Sequence, residues 1–217
     1  SLLSVLQQRD IWDQLRSSEN IRYDRYRISE SPWQYAGLLG GDVRFASHPG
    51  INFNISKRFI ESQNKSGKDK ISKKEAGKLL TASIVHDWGE LKLDGLGEGD
   101  VTYDQHESSH EEVETIIFKK IAKRIKNVFD RHYVSKIYRG VVQDKDSKLG
   151  RMFNAVERIG YLSTGLRAFV GVKGERISNW HGLTGNVLSN QIIQLLEFQN
   201  DFSLVKELLE ENRQLIT

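Results

Sequence analysis

Residues 72–90 read SKKEAGKLLTASIVHDWGE, and the reading of this stretch decides the fold class. Ser72 followed by Glu75 is a capping-box pattern, in which each residue's side chain satisfies the other's backbone N–H, so a helix starts here. Leu79, Leu80, Ile84 and Val85 then recur at helical spacing. The helix ends in His86-Asp87, followed by Trp88-Gly89-Glu90. The last turn of a helix frees the backbone, so two adjacent side chains can both turn toward one ion. A neutral imidazole beside a carboxylate suits Mn, Fe, Co, Ni or Zn, and Mg less well. Taken alone, the dipeptide reads equally as an exposed helix cap.

Outward from this stretch, nearly every segment reads at helical period. Leu3, Leu6, Ile11 and Leu15 make the apolar stripe of a first helix. Residues 20–45 are irregular, punctuated by Pro32, Gly37, Gly40 and Gly41. A helix is expected from Ser47 to Ser62, with Ile51, Ile55 and Phe59 four apart, and then a polar loop over 63–72. Downstream, 89–105 reads as a Gly-rich acidic loop, and helices are expected over 107–128, 131–142 and 147–169. Residues 171–185 read as another loop, and helices over 186–198 and 202–215 follow. No alternating strand pattern, internal repeat or low-complexity tract interrupts this. The expected class is all-α, a single domain over 1–217 with the 186–215 helices packed on the rest.

The 217 residues are ample for one hydrophobic core. The 32 Lys+Arg against 29 Asp+Glu leave a net charge of +3, which argues against a long nucleic acid as partner. There is no cysteine, hence no disulfide, no thiolate metal site and no cysteine nucleophile. Any metal must be held by His, Asp, Glu or Asn. The absence of cysteine fits a reducing compartment, and a cytoplasmic location is expected. No apolar run approaches the roughly 20 residues needed to cross a bilayer, so no membrane is expected. Ser1-Leu2-Leu3-Ser4 lacks a signal peptide's charged-then-apolar order. Charge is segregated along the chain. Residues 57–78 hold eight Lys/Arg and three Asp/Glu, whereas 87–115 hold ten Asp/Glu and one Lys. Such runs are usually solvated faces, but the acidic one opens at His86-Asp87.

His48 stands 38 residues before His86, and Glu90 and Gly99-Asp100 follow the pair. The order His, His-Asp-x-x-Glu, Gly-Asp resembles the HD-domain metal-dependent phosphohydrolases, in the compact branch that includes 5′-deoxynucleotidases. The resemblance covers about residues 45–170. It implies a helical bundle of the HD type, a divalent metal ion, and hydrolysis of a phosphomonoester or related small phosphoester, most of all a nucleotide. By the resemblance, His48, His86 and Asp87 are metal ligands. Glu90 matches the carboxylate that activates or orients water, and Asp100 the acidic residue near the substrate. The chemistry is coherent, since a divalent ion activates water and a carboxylate then handles the proton. The resemblance also implies a homodimer.

The family's last ligand, an Asp after an Ala, has no direct counterpart. Aligning Ala155 leaves Val156 at the Asp position; sliding by one places Glu157 there, and Asn154 lies one turn away. Glu157 is favoured as ligand, because a carboxylate one methylene longer can still reach. The alternative is that Glu157 pairs with a neighbouring cation and the metal set is incomplete. His106 and His110, four apart among Glu107, Glu111 and Glu114, read as a solvated face, with His110 an outside candidate for a second metal. His132 and His181 read as surface or core polar residues. By the same resemblance, the Arg22–Arg27 stretch with Trp33 is the counterpart of an Arg and an aromatic that contact phosphate and base, Arg22 and Arg25 offering the phosphate contacts and Trp33 a stacking surface; the alternative is an ordinary arginine-tyrosine loop packed on the core. Two other functions stay open: an HD-type nuclease or cyclic-nucleotide phosphodiesterase, and a non-catalytic HD-fold binding or regulatory module.

Overall fold

The computed structural model describes residues 9, 11–13, 48–66, 69–96, 108–172 and 188–212. Among these the chain is all-α, with no strand. The helices are α1 His48–Ser66, α2 Lys73–Val85, α3 Ser108–Ala122, α4 Val128–Ile137, α5 Lys148–Val172, α6 Asn190–Leu196 and α7 Ser203–Glu211. A 3-10 turn, His86–Glu90, continues α2, and a π-helical turn, Tyr138–Gln143, continues α4.

The capping box forms as expected. The Ser72 N–H donates to Glu75 Oε2 at 2.9 Å, and the Glu75 N–H donates to Ser72 Oγ at 3.3 Å. Lys148 Nζ, on α5, donates to the other Glu75 oxygen at 2.9 Å. These contacts, the Ser72 backbone N–H first and then Lys148, lower the Glu75 pKa from 4.5 to about 2. A depressed carboxyl pKa contributes stability that is present above 4.5 and lost as pH falls toward 2. Glu75→Gln is therefore expected to flatten the acid limb of the stability curve between those values. Urea titrations across that range check it; curves that superimpose on wild type would contradict the linkage.

α1 differs from its expected pattern. It runs four residues further, to Ser66, and Ile51 and Ile55 are only half-buried. Its buried stripe is His48, Asn52, Ser56, Phe59 and Gln63, largely polar. The reason is that these groups find partners across the interior. Ser56 Oγ lies 2.7 Å from Ser83 Oγ of α2. Gln63 Oε1 accepts from the Ser203 N–H at 3.2 Å, fastening α7.

α3 ends at Ala122, short of the expected 128, because Asn127 caps a new helix. Its side chain accepts from the Asp130 N–H, so α4 starts at Val128 rather than 131. Arg131 also donates twice to the Ile125 carbonyl, stabilising the intervening turn. α5 reaches Val172, past the expected end at 169. After the 3-10 turn, Leu93 and Leu96 exchange backbone hydrogen bonds of 3.0 and 2.9 Å. Asp94 and Gly95 turn that corner at φ 52° and 74°, and Lys120 holds Asp94 at 3.1 Å.

Two apolar clusters make the interior. One joins α1, α2, α5, α6 and α7 through Phe59, Leu79, Phe153, Leu195, Phe202 and Val205. α6 and α7 therefore pack on the other helices of this cluster. The other joins the end of α2 to α3 and α4 through Val85, Trp88, Ile117, Ile121 and Val134. α2 contributes to both, Leu79 and Ala82 to the first and Ile84 and Val85 to the second. His86 and Asp87 follow directly, where the two clusters meet. In the basic run, Lys57, Arg58, Lys65, Lys70, Lys73 and Lys74 are exposed, a solvated face as expected. Among the described residues no helix is long and apolar enough to cross a membrane.

Candidate metal centre

Three of the expected ligands converge. His48 is the first residue of α1; His86 and Asp87 open the 3-10 turn after α2. All three are buried, and one donor atom from each lies within 4.8 Å of the others. The Ser56–Ser83 contact one turn away holds the two helices in this register. These residues form a group that can hold a metal ion.

The tautomer of His86 follows from its neighbours. Its Nδ1 lies 3.0 Å from the Ser83 carbonyl oxygen, which can only accept, so Nδ1–H donates. In the neutral ring Nε2 then carries a lone pair. Asn52 Nδ2 donates toward it at 3.1 Å, and toward His48 Nε2 at 3.1 Å. Yet Asp87 Oδ1 lies only 2.9 Å from the same His86 Nε2, and Asp87 Oδ2 lies 3.8 Å from His48 Nε2. A carboxylate oxygen at that distance from an imidazole nitrogen is favourable only when a proton or a cation lies between them. A cation shared between them turns the contact into a favourable one. Two donors each about 2.1 Å from one ion stand roughly 3.0–3.4 Å apart, close to the observed separation. The residues present therefore fit a metal ion, with a backbone carbonyl orienting one imidazole as supporting groups commonly do.

Glu157, on α5, stands beside this group without joining its tight set. Its Oε1 lies 3.9 Å from His86 Nε2, and its side chain is 18 % exposed. Among the described residues no Lys or Arg pairs with it. Asn154 is turned elsewhere: its Oδ1 accepts from Arg158 Nε at 3.1 Å. Arg158 is itself buried, also donates to Gln191 at 3.1 Å, and lies over the Tyr161 ring at 5.9 Å. Tyr161 in turn stacks on His48, centroids 6.0 Å apart. Phe153 meets His86 edge-on at 5.4 Å.

Glu90 closes the 3-10 turn and is half-buried. Gly89 is glycine for lack of space. A Cβ there would come within 2.7 Å of both the Glu114 carbonyl oxygen and the Tyr138 hydroxyl. Trp88 anchors the turn, fully buried and stacked on Phe118 at 6.3 Å. Tyr138 was not evident as a site residue in the sequence. It is buried, and burial together with the carboxylates of Glu114, Glu90, Asp87 and Glu157 pushes its phenol well above the usual tyrosine range. Tyr138 therefore stays protonated.

Asn52 was missed as well, although a signal exists: His48, Asn52 and Ser56 repeat every four residues on one helix face. For Tyr138 no local pattern points to the site, since it arrives from a distant helix. His110 is half-buried on α3 and is not part of the metal-type group found among the described residues. His132 is exposed. Asp100, Arg22, Arg25, Trp33, His106 and His181 lie outside the described residues.

No family model matches the chain, and no curated protein or solved structure matches it significantly.

Proposed function

We propose that this chain is a metal-dependent phosphohydrolase of the HD type that cleaves a phosphomonoester or related small phosphoester, a nucleotide above all. The observation that carries the reading is the buried trio of His48, His86 and Asp87, with a carboxylate oxygen set 2.9 Å from an imidazole nitrogen. Buried, like-natured donors converge in this way at functional sites, at a cost in stability. His48, His86 and Asp87 would hold the ion, and Glu157 is the candidate for a fourth ligand. A divalent ion bound there supplies Lewis-acid polarisation of a phosphoryl oxygen and activates water.

The remaining steps belong to the chain's own groups. Glu90, at the open end of the 3-10 turn, takes the proton of the attacking water. Tyr138 keeps its proton and donates a hydrogen bond within the site. His86 is held in one orientation by Ser83, which would leave its Nε2 free to bind the ion. Asp100, Arg22, Arg25 and Trp33 carry the proposed substrate contacts.

A second reading has one observation in its favour: Glu157 stands outside the tight trio. On that reading the chain is a binding module that holds metal without turnover. Elemental analysis of purified protein, followed by a panel of mononucleotides, cyclic dinucleotides and single-stranded oligonucleotides, separates the cases. The expected result is about one metal per chain and release of phosphate from mononucleotides. Metal without hydrolysis of any substrate supports the module; no metal under any loading condition sinks both. Glu90→Gln is expected to retain metal and lose roughly 10²–10⁴-fold in rate. A Glu90→Gln enzyme as fast as wild type would remove Glu90 from the mechanism.

A further inference from the structure

Asn52 occupies an unusual position. It is fully buried, and its amide nitrogen lies 3.1 Å from Nε2 of both His48 and His86. Its amide nitrogen thus faces the same ring nitrogens an ion would use. Its Oδ1 is buried and has no hydrogen-bond partner among the described residues. That oxygen rests against Gly160 of α5, where a Cβ would come within 2.7 Å. An orphaned buried amide oxygen costs roughly 1–3 kcal/mol, so its placement calls for an account.

We propose that Asn52 is a metal ligand, one that the HD-type reading of the site does not include, and that its amide turns over when the ion binds. The inference rests on the metal reading above. The two ends of a primary amide are nearly the same size, so a half-turn exchanges Oδ1 and Nδ2 without moving neighbours. Before the turn, two N–H groups are satisfied by imidazoles and the oxygen is unpaired. An ion takes both imidazole lone pairs, which leaves the N–H groups without acceptors and facing positive charge. After the turn the oxygen faces the ion as a neutral donor, and the nitrogen takes the oxygen's place against Gly160. One amide end is unpaired in either state, so the exchange costs little there while the ion gains a ligand. A neutral oxygen also fits a site that already holds Asp87, with Glu157 beside it. This supplies the oxygen that the absent family Asp would have provided.

The alternative is that Asn52 only steadies the imidazoles by donating to them. Two variants distinguish these roles, titrated with Co²⁺ and read by visible absorption and a competing chelator. Asn52→Leu removes both functions. Asn52→Asp keeps an oxygen and removes the N–H donors. The expected result is that Asn52→Leu loses more than about 100-fold in Co²⁺ affinity, beyond what a group that only supports a ligand costs, with an altered absorption band, while Asn52→Asp binds at least as tightly as wild type. If Asn52→Asp is as weak as Asn52→Leu, Asn52 is a donor to the imidazoles and the proposal fails. If Asn52→Leu binds Co²⁺ with wild-type affinity and spectrum, it also fails. Wild-type protein that takes up no Co²⁺ would overturn the metal reading itself, a separate outcome visible before any variant is made.

Discussion

Replacing Asp87 with alanine is expected to abolish stoichiometric metal binding and turnover together. Asp87 is 1 % exposed and brings an oxygen to each imidazole, 2.9 Å from His86 Nε2 and 3.8 Å from His48 Nε2. Groups that merely support a ligand change metal affinity about 10–100-fold, so losing this ligand should cost more than about 100-fold. The loss has a stability signature that activity alone cannot give. Metal at about 100 times its dissociation constant stabilises a folded protein by roughly 2.7 kcal/mol. For a chain of this size that corresponds to a rise in melting temperature of about 5–10 °C. Wild type should show the rise on adding metal, and Asp87→Ala should not. A variant that melts, binds metal and hydrolyses substrate like wild type would end the assignment of Asp87 as a ligand.

Gly150→Ala is expected to be the most destabilising small substitution away from the site. Gly150 lies near the start of α5, beside the bend that follows the π-helical turn. A Cβ there would overlap the Asp144 backbone carbonyl, and would also meet Ser147 Oγ at 3.0 Å. Neither can easily move aside. The Ser147 hydroxyl is shared with the carbonyls of Gly140 and Asp144, at 3.1 and 3.0 Å, and accepts from the Gly150 N–H at 3.1 Å. A steric conflict with backbone costs about 3 kcal/mol or more, a fall of roughly 6–12 °C in melting temperature. Because α5 carries Glu157 and Phe153, the variant should also hold metal less tightly. Stability within about 0.5 kcal/mol of wild type, the range of neutral surface changes, would show that the bend yields.

Much of the architecture is legible from local signals because helix formation is itself largely local. Ser72 and Glu75 announce a helix start three residues apart, and the capping box forms. Leu79, Ile84 and Val85 recur at the period of a buried face. Where boundaries slipped, a side chain outside the apolar pattern set them. Asn127 capped α4 and so ended α3 earlier than hydrophobic spacing alone would place it. In α1 the apolar spacing of Ile51 and Ile55 pointed to the wrong stripe, since the face turned inward bears His48, Asn52 and Ser56. A helix with a polar interior face cannot be told from one with a solvated face until its partners are known.

His48, His86 and Asp87 were readable as metal-type residues from their identity and order, and the adjacency of His86 and Asp87 is a property of the chain itself. The convergence of His48 on that pair was not. It depends on α1 packing against α2 through Ser56 and Ser83, 27 residues apart. The same holds for Tyr138, brought in by the π-helical turn beside Gly89, and for the contact of Glu157 with His86 across 71 positions. By itself the sequence determined an all-α chain without cysteine, in which any metal must rest on His and oxygen donors. Only the tertiary structure decided which of them meet, because a metal site needs several donors within a few ångströms, and that spacing arises from packing between helices rather than within one.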